Sequence, residues 1–198
     1  MTRGFIFDLD GTLADTMPAH FVAWTAIATR YGLSFPEDEF YALGGKPTSW
    51  ISAMLAERAG VAIDPELIAQ DKEQAFADGL ANDPAIIQPI PAVIEIARAH
   101  RAEGPMAIAS GGTRVLVART LEIIGIGSWF RAVVSSEDTA RHKPEPDVFL
   151  EAARRLGVEP ARCTVYEDTD LGLESARRAG MKGIDVRPII LAALTLSA

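Results

Sequence analysis

Three polar stretches far apart in the chain each close an apolar run: Asp8-Leu9-Asp10-Gly11-Thr12 after Gly4–Phe7, Ser110-Gly111-Gly112 after Met106–Ala109, and Glu167-Asp168-Thr169 after the run that begins at Cys163. Lys143 stands in a further polar segment, beyond an apolar run at 132–135. If these segments meet, Asp8, Asp10, Glu167 and Asp168 repel one another, because like charges at close range disfavour joint ionisation. They need a cation. Oxygen donors without His or Cys suit a hard divalent ion, and few carboxylates completed by water and a substrate phosphate fit Mg²⁺ better than a dedicated Ca²⁺ cage. A metal beside the Lys143 ammonium and the Ser110 hydroxyl would receive a phosphoryl group, since all three neutralise charge on its equatorial oxygens. The amides of Gly111 and Gly112, at the positive start of a helix, would add donors.

The surrounding elements must be able to bring these segments to one place. Gly4–Phe7 reads as a buried strand running into a polar turn. A helix is expected over 18–31, with Phe21, Trp24, Thr25, Ala28 and Tyr31 on one face and Gly32 as its stop, followed by helices over 37–43, 47–59 and 65–80. Trp24 and Trp50 are expected in the core of this helical stretch. From Pro89 and Pro91 onward helix and strand alternate: helix 92–102, strand 106–110, helix 114–124, strand 132–135, helix 147–156, strand 163–167, helix 171–179, strand 183–186. That rhythm predicts an α/β fold with a doubly wound, Rossmann-like parallel sheet of residues 1–15 and 89–198, interrupted by an α-helical insertion over 16–88. In such sheets ligands gather beyond the carboxyl ends of the strands, which is where the polar stretches lie.

Composition narrows the partners. The 27 acidic against 19 basic residues give a formal net charge of −8, with no long block of like charge, which argues against a phosphate-backbone binder of nucleic acid. Cys163 is the single cysteine, so no intramolecular disulfide can form, and it is expected in the core. No uncharged apolar run approaches the length of a membrane span, and the opening residues have no signal-peptide pattern. The expectation is a cytoplasmic monomer without membrane or nucleic-acid partners, acting on a small phosphorylated metabolite. The uncharged stretch 188–198 is expected to pack against its own domain or a partner.

Taken together, Asp8-Leu9-Asp10-Gly11-Thr12-Leu13, Ser110, Lys143-Pro144-Glu145-Pro146-Asp147 and Glu167-Asp168-Thr169 resemble, in order and spacing, the four motifs of the haloacid dehalogenase superfamily. The resemblance covers nearly the whole chain, and the insertion looks like the small helical cap of the β-phosphoglucomutase-like branch. Ala42-Leu43-Gly44-Gly45-Lys46-Pro47-Thr48, the stretch from Asp168 to Met181, and Asp185-Val186-Arg187 are similar to bacterial sugar-phosphate phosphatases of the fructose-1-phosphate and 6-phosphogluconate type. The resemblance implies that Asp8 is a nucleophile forming an aspartyl-phosphate and that Asp10 is the general acid and base. It implies that Asp8, Asp10 through its carbonyl, and Asp168 hold Mg²⁺ with help from Glu167. Ser110 would then bind a phosphoryl oxygen, and Lys143 would pair with that group and with Asp8. Gly11, Thr12, Gly111 and Gly112 would line the phosphate. It places His20 near the mouth of the site and makes Lys46 and Lys72 of the cap the cations that meet the substrate. Lys72, beside Asp71 and Glu73, equally suits a solvent-exposed ion pair, and His100 is expected at the surface.

Related chemistries make different demands. Carbon–halogen cleavage needs no acid at the second carboxylate, so Asp10 favours phosphoryl transfer. A phosphonatase would use a cap lysine as a Schiff base, yet neither Lys46 nor Lys72 lies in an apolar run that would depress its pKa. A sugar phosphomutase shares Asp8 and Asp10 but resembles its branch in carrying an arginine in the first cap loop, where this chain has Lys46 and Thr48. A non-catalytic phosphosugar-binding protein would have no use for both Asp8 and Asp10. Net hydrolysis of a small sugar phosphate or sugar-acid phosphate is the expectation.

Overall fold

The computed structural model describes residues 2–43, 46–60 and 63–196, so Gly44, Gly45 and the last two residues of the apolar tail lie outside the described residues. In chain order the elements are β1 (Gly4–Phe7), β2 (Ala14–Asp15), α1 (Met17–Tyr31), α2 (Glu37–Ala42), α3 (Thr48–Ala59) and α4 (Pro65–Asn82). They continue with β3 (Gln88–Pro89), α5 (Pro91–His100), β4 (Met106–Ala109), α6 (Arg114–Ile123), β5 (Ala132–Val134), α7 (Asp147–Leu156), β6 (Cys163–Glu167), α8 (Asp170–Arg178), β7 (Lys182–Asp185) and α9 (Arg187–Leu196). The chain divides into two compact units, Met1–Asp15 with Gln88–Ala198, and Thr16–Ile87.

In the first unit five parallel strands form one sheet in the order β5-β4-β1-β6-β7. β1 and β4 are buried at every residue, as near-continuous apolar strands of a parallel sheet must be. Phe5 stands opposite Met106 on one side and Thr164 on the other, so β1 is central. Parallel pairing puts the carboxyl ends of β4, β1 and β6 at one edge. Helix α7 shows how the sheet is covered: Val148, Phe149, Ala152, Ala153 and Leu156 are buried at helical period, Arg154 faces outward, and Gly157 ends it with φ of 70°.

One feature of this unit differs from expectation. A two-residue antiparallel pair joins Ala14 to Pro89 and Asp15 to Gln88, fastening the points where the chain leaves and re-enters the unit. Strands this short, one containing Pro, carry no periodicity to read. The apolar tail forms α9, which touches α5 but has no fully buried residue; Leu191 and Leu194 are exposed. Among the described residues no helix is long and apolar enough to cross a membrane.

In the second unit α1 and α3 pack on α4. Its core contains Trp24, Ile27, Phe35, Phe40, Ile51, Leu55 and Ile68. The buried face of α1 runs through Ala19, Ala23, Trp24, Ile27 and Ala28, so Thr25 points outward, contrary to the expected stripe. Trp50 is also corrected: α3 buries Ile51, Ser52, Leu55 and Ala56, and one residue out of phase Trp50 is left 45% exposed.

Candidate active site

Asp8 is the first residue beyond β1, Ser110 the first beyond β4, and Glu167 the last of β6. The sheet ladder continues one step past the strands, with the Asp8 amide donating to the Tyr166 carbonyl and the Ser110 amide to the Val134 carbonyl, both at 3.0 Å. This holds the two side chains at the sheet edge. Lys143 arrives from the loop between β5 and α7. Its Nζ donates to Asp8 Oδ1 at 2.5 Å and to Glu167 Oε2 at 2.7 Å. One oxygen from each of Asp8, Glu167 and Asp168 lies within 4.8 Å of the others.

The sharp turn after Asp8 depends on Gly11, which has φ of 82° and whose hydrogen side faces Asp168, where a Cβ would collide with the carboxylate. Thr12, fully buried, donates from Oγ1 to Asp168 Oδ1 at 2.7 Å, so its hydroxyl is committed to a carboxylate and not left for a substrate. The Asp10 carboxylate stands outside the three gathered oxygens: Ser110 Oγ donates to Asp10 Oδ2 at 3.2 Å. The Gly112 amide donates in turn to Ser110 Oγ at 3.0 Å, while Gly111 is exposed. Thr169 and Gly172 had no expected part. Thr169 Oγ1 donates to Glu167 Oε1 at 2.5 Å, and a Cβ on Gly172 would collide with the Glu167 side chain.

The electrostatics follow from burial. Burial and then the charge of Glu167 push the Asp8 carboxyl well above the usual range, against the pull of Lys143. The same two causes push Asp168 up to about 6. Burial opposes the charge on Lys143, but Asp8 and Glu167 outweigh it and hold the ammonium above its ordinary pKa. One cation thus serves a crowded set of acids. A further divalent cation fits this all-oxygen set, both in charge and in donor type.

The second unit holds His20, Lys46 and Lys72. Lys72 is not at the surface but 2% exposed, with Nζ 3.0 Å from His20 Nδ1 and 3.0 Å from Glu73 Oε1. Thr48 Oγ1 also donates to Glu73 Oε1, and the Phe76 ring stacks on His20. Burial and the nearby Lys72 charge hold His20 well below its usual pKa, so the imidazole is neutral. Lys46 is exposed, with its ammonium 5.0 Å over the Trp50 ring. His100 of the first unit is corrected as well: it stacks on Phe5 with ring centroids 3.7 Å apart and lies 2.6 Å from the Tyr166 hydroxyl.

The chain is 36% identical over 184 residues to the fructose-1-phosphate phosphatase YqaB of Escherichia coli K12, covering 93% of this chain and 96% of that one. It is 32% identical to hexitol phosphatase A of the same organism, over 93% and 82%. The fold matches that of β-phosphoglucomutase from Clostridium difficile with a TM-score of 0.78 at 22% identity, over 93% and 84% of the two chains. The family model for haloacid dehalogenase-like hydrolases matches residues 2–180, a span that holds every acid of the buried cluster and Lys143. The chain belongs to the haloacid dehalogenase-like hydrolase family.

Proposed function

We propose that this hydrolase removes phosphate from a small sugar phosphate or sugar-acid phosphate, with Asp8 as nucleophile. The observation that carries the reading is the Lys143 ammonium bound to both Asp8 and Glu167 at the point where three carboxylates gather. Asp8, Asp168, the Asp10 carbonyl and Glu167 would hold Mg²⁺, which when bound supplies positive charge beside the phosphoryl oxygens. Asp8 attacks phosphorus and forms an aspartyl-phosphate while Asp10 delivers a proton to the leaving sugar oxygen. Asp10, now a carboxylate, takes a proton from the water that cleaves the acyl-phosphate. Lys143 fixes Asp8 Oδ1 and prevents the carboxylate from rotating away. Ser110, now turned to Asp10, would swing its proton to a phosphoryl oxygen. The helical unit, with Lys46 and with Lys72 beside His20, would select the sugar. Two relatives named for phosphorylated carbohydrates, a fructose-1-phosphate phosphatase and a hexitol phosphatase, support that substrate class.

The test is phosphate release from a panel of hexose, hexitol and sugar-acid phosphates, with Mg²⁺ and with chelator. Release should require the metal. Asp8→Asn, nearly isosteric, should lower turnover by about 10⁴-fold or more while the fold survives. A parental rate in that variant would remove Asp8 from the mechanism, and isomerisation without release would make the chain a mutase.

A further inference from the structure

Glu167 and Asp168 are adjacent in sequence, yet each has one oxygen already taken by a threonine hydroxyl. On Glu167, Oε1 accepts from the Thr169 amide at 3.0 Å and from Thr169 Oγ1 at 2.5 Å, and Oε2 accepts from Lys143. A carboxylate oxygen has two lone pairs, so Oε1 is saturated and a single lone pair remains, on Oε2. Thr169 Oγ1 itself accepts from the Gly172 amide in the first turn of α8, at 3.0 Å, which leaves its proton for Glu167. Gly172 makes this possible, since any Cβ there would occupy the place of Glu167. On Asp168 the matching donor is Thr12, whose hydroxyl is sealed from water.

We propose that Thr12 and Thr169 are positioning residues, whose hydroxyls orient Asp168 and Glu167 so that the opposite oxygen of each is presented to the divalent ion. The inference rests on the metal centre proposed above. Hydrogen-bond donors behind ligating carboxylates set metal affinity, and losing one costs about 10–100-fold. A purely structural role makes another prediction: Thr169 caps α8 and Thr12 fills core space, so their loss would change stability and leave metal affinity alone.

The experiment titrates Mn²⁺ alone, without substrate, by the electron paramagnetic resonance of the free ion, on proteins whose circular dichroism matches the parent. Thr12→Val and Thr169→Val should each weaken Mn²⁺ binding by about 10–100-fold. Thr12→Ser and Thr169→Ser, which keep the hydroxyl, should stay within about twofold of the parent. Val variants with the parental dissociation constant would overturn the inference and leave the metal centre standing. Ser variants as weak as the Val variants would overturn it too, because packing would then be the cause. A parental protein that binds no Mn²⁺ would overturn the metal centre and this inference together. Should Thr169→Val fail to fold with its helix cap gone, Thr12→Val, apolar in a buried place, decides the matter.

Discussion

Around Asp138, two guanidinium groups and a serine serve one carboxylate: Arg114 and Arg155 each reach Oδ1 at 2.8 Å, while the Ser135 amide and hydroxyl reach Oδ2 at 2.8 and 2.9 Å. Glu151 beside it binds Arg154 and Arg155. Around Asp8, a single ammonium serves two carboxylates and stands beside a third. Among the described residues, the same α/β unit therefore holds an acid cluster rich in cations and another with more acids than cations. Burial alone would raise Asp138, yet its donors hold it well below the usual range, whereas Asp8 and Asp168 are pushed up. A cluster whose charges balance secures the fold. One left with surplus negative charge in a buried place awaits a partner, which is why perturbed carboxylates mark sites of chemistry.

The sharpest way to break this contrast is to remove one cation from each cluster. Lys143→Met leaves Asp8 and Glu167 buried without their counter-charge, so metal-free stability in urea should fall by about 3–5 kcal/mol. Turnover should fall by about 10²–10³-fold, as for other lost donors to a transition-state oxyanion. Arg114→Met, on a side chain 60% exposed, should cost no more than about 1 kcal/mol and leave turnover at the parental value. Equal losses in the two variants would mean that the clusters do not differ in kind.

A smaller effect separates the glycines of two helices. In α4 a Cβ added to Gly79 meets nothing within 4 Å, so Gly79→Ala should stabilise the protein by up to about 1 kcal/mol. Gly172→Ala gains the same helix propensity but drives a methyl into Glu167, and should destabilise by about 1–3 kcal/mol and weaken Mn²⁺ binding. Urea midpoints of the two variants on either side of the parent are the expected result; a stabilised Gly172→Ala would show that Glu167 has room to move.

Much of the site was legible because strand ends announce themselves: an apolar run closing on Asp8, Ser110 or Glu167 gives both an element and a direction. The roles of Thr12, Thr169 and Gly172 were not, since a hydroxyl donating to a neighbouring carboxylate leaves no spacing to detect. Of the two readings of Lys72, only the solvent-exposed ion pair is overturned by its burial, and a signal against it existed. Flanked by Asp71 and Glu73 it reads as solvated, but Ile68, Lys72 and Phe76 recur every four residues, which puts it on the buried face of α4. Trp50 fails for the opposite reason, an apolar residue out of phase with its helix. The Asp138 network draws on the first residue of α6, on residues beyond β5 and on α7, and no linear pattern connects them.

The smallest predicted effect tests the cation-rich cluster by pH. Arg154 and then Arg155 lower Glu151 from its ordinary 4.5 to about 2, and Asp138 is displaced in the same direction by its own donors. A carboxylate with a lower pKa in the folded than in the unfolded chain stabilises the fold above the unfolded value, and that contribution disappears as pH falls through the folded one. For Glu151 the window runs from 4.5 down to about 2. Glu151→Gln cannot titrate, so at pH 7 its melting temperature should lie about 2–4 °C below the parent, the scale of a partly exposed ion pair in a protein of this size. The two melting curves should converge as pH drops through that window, because the parent loses by protonation what the variant lacks from the start. A gap of the same size at both ends of the range would assign the loss to packing, and Glu151 would then hold α7 by its shape and not by its charge.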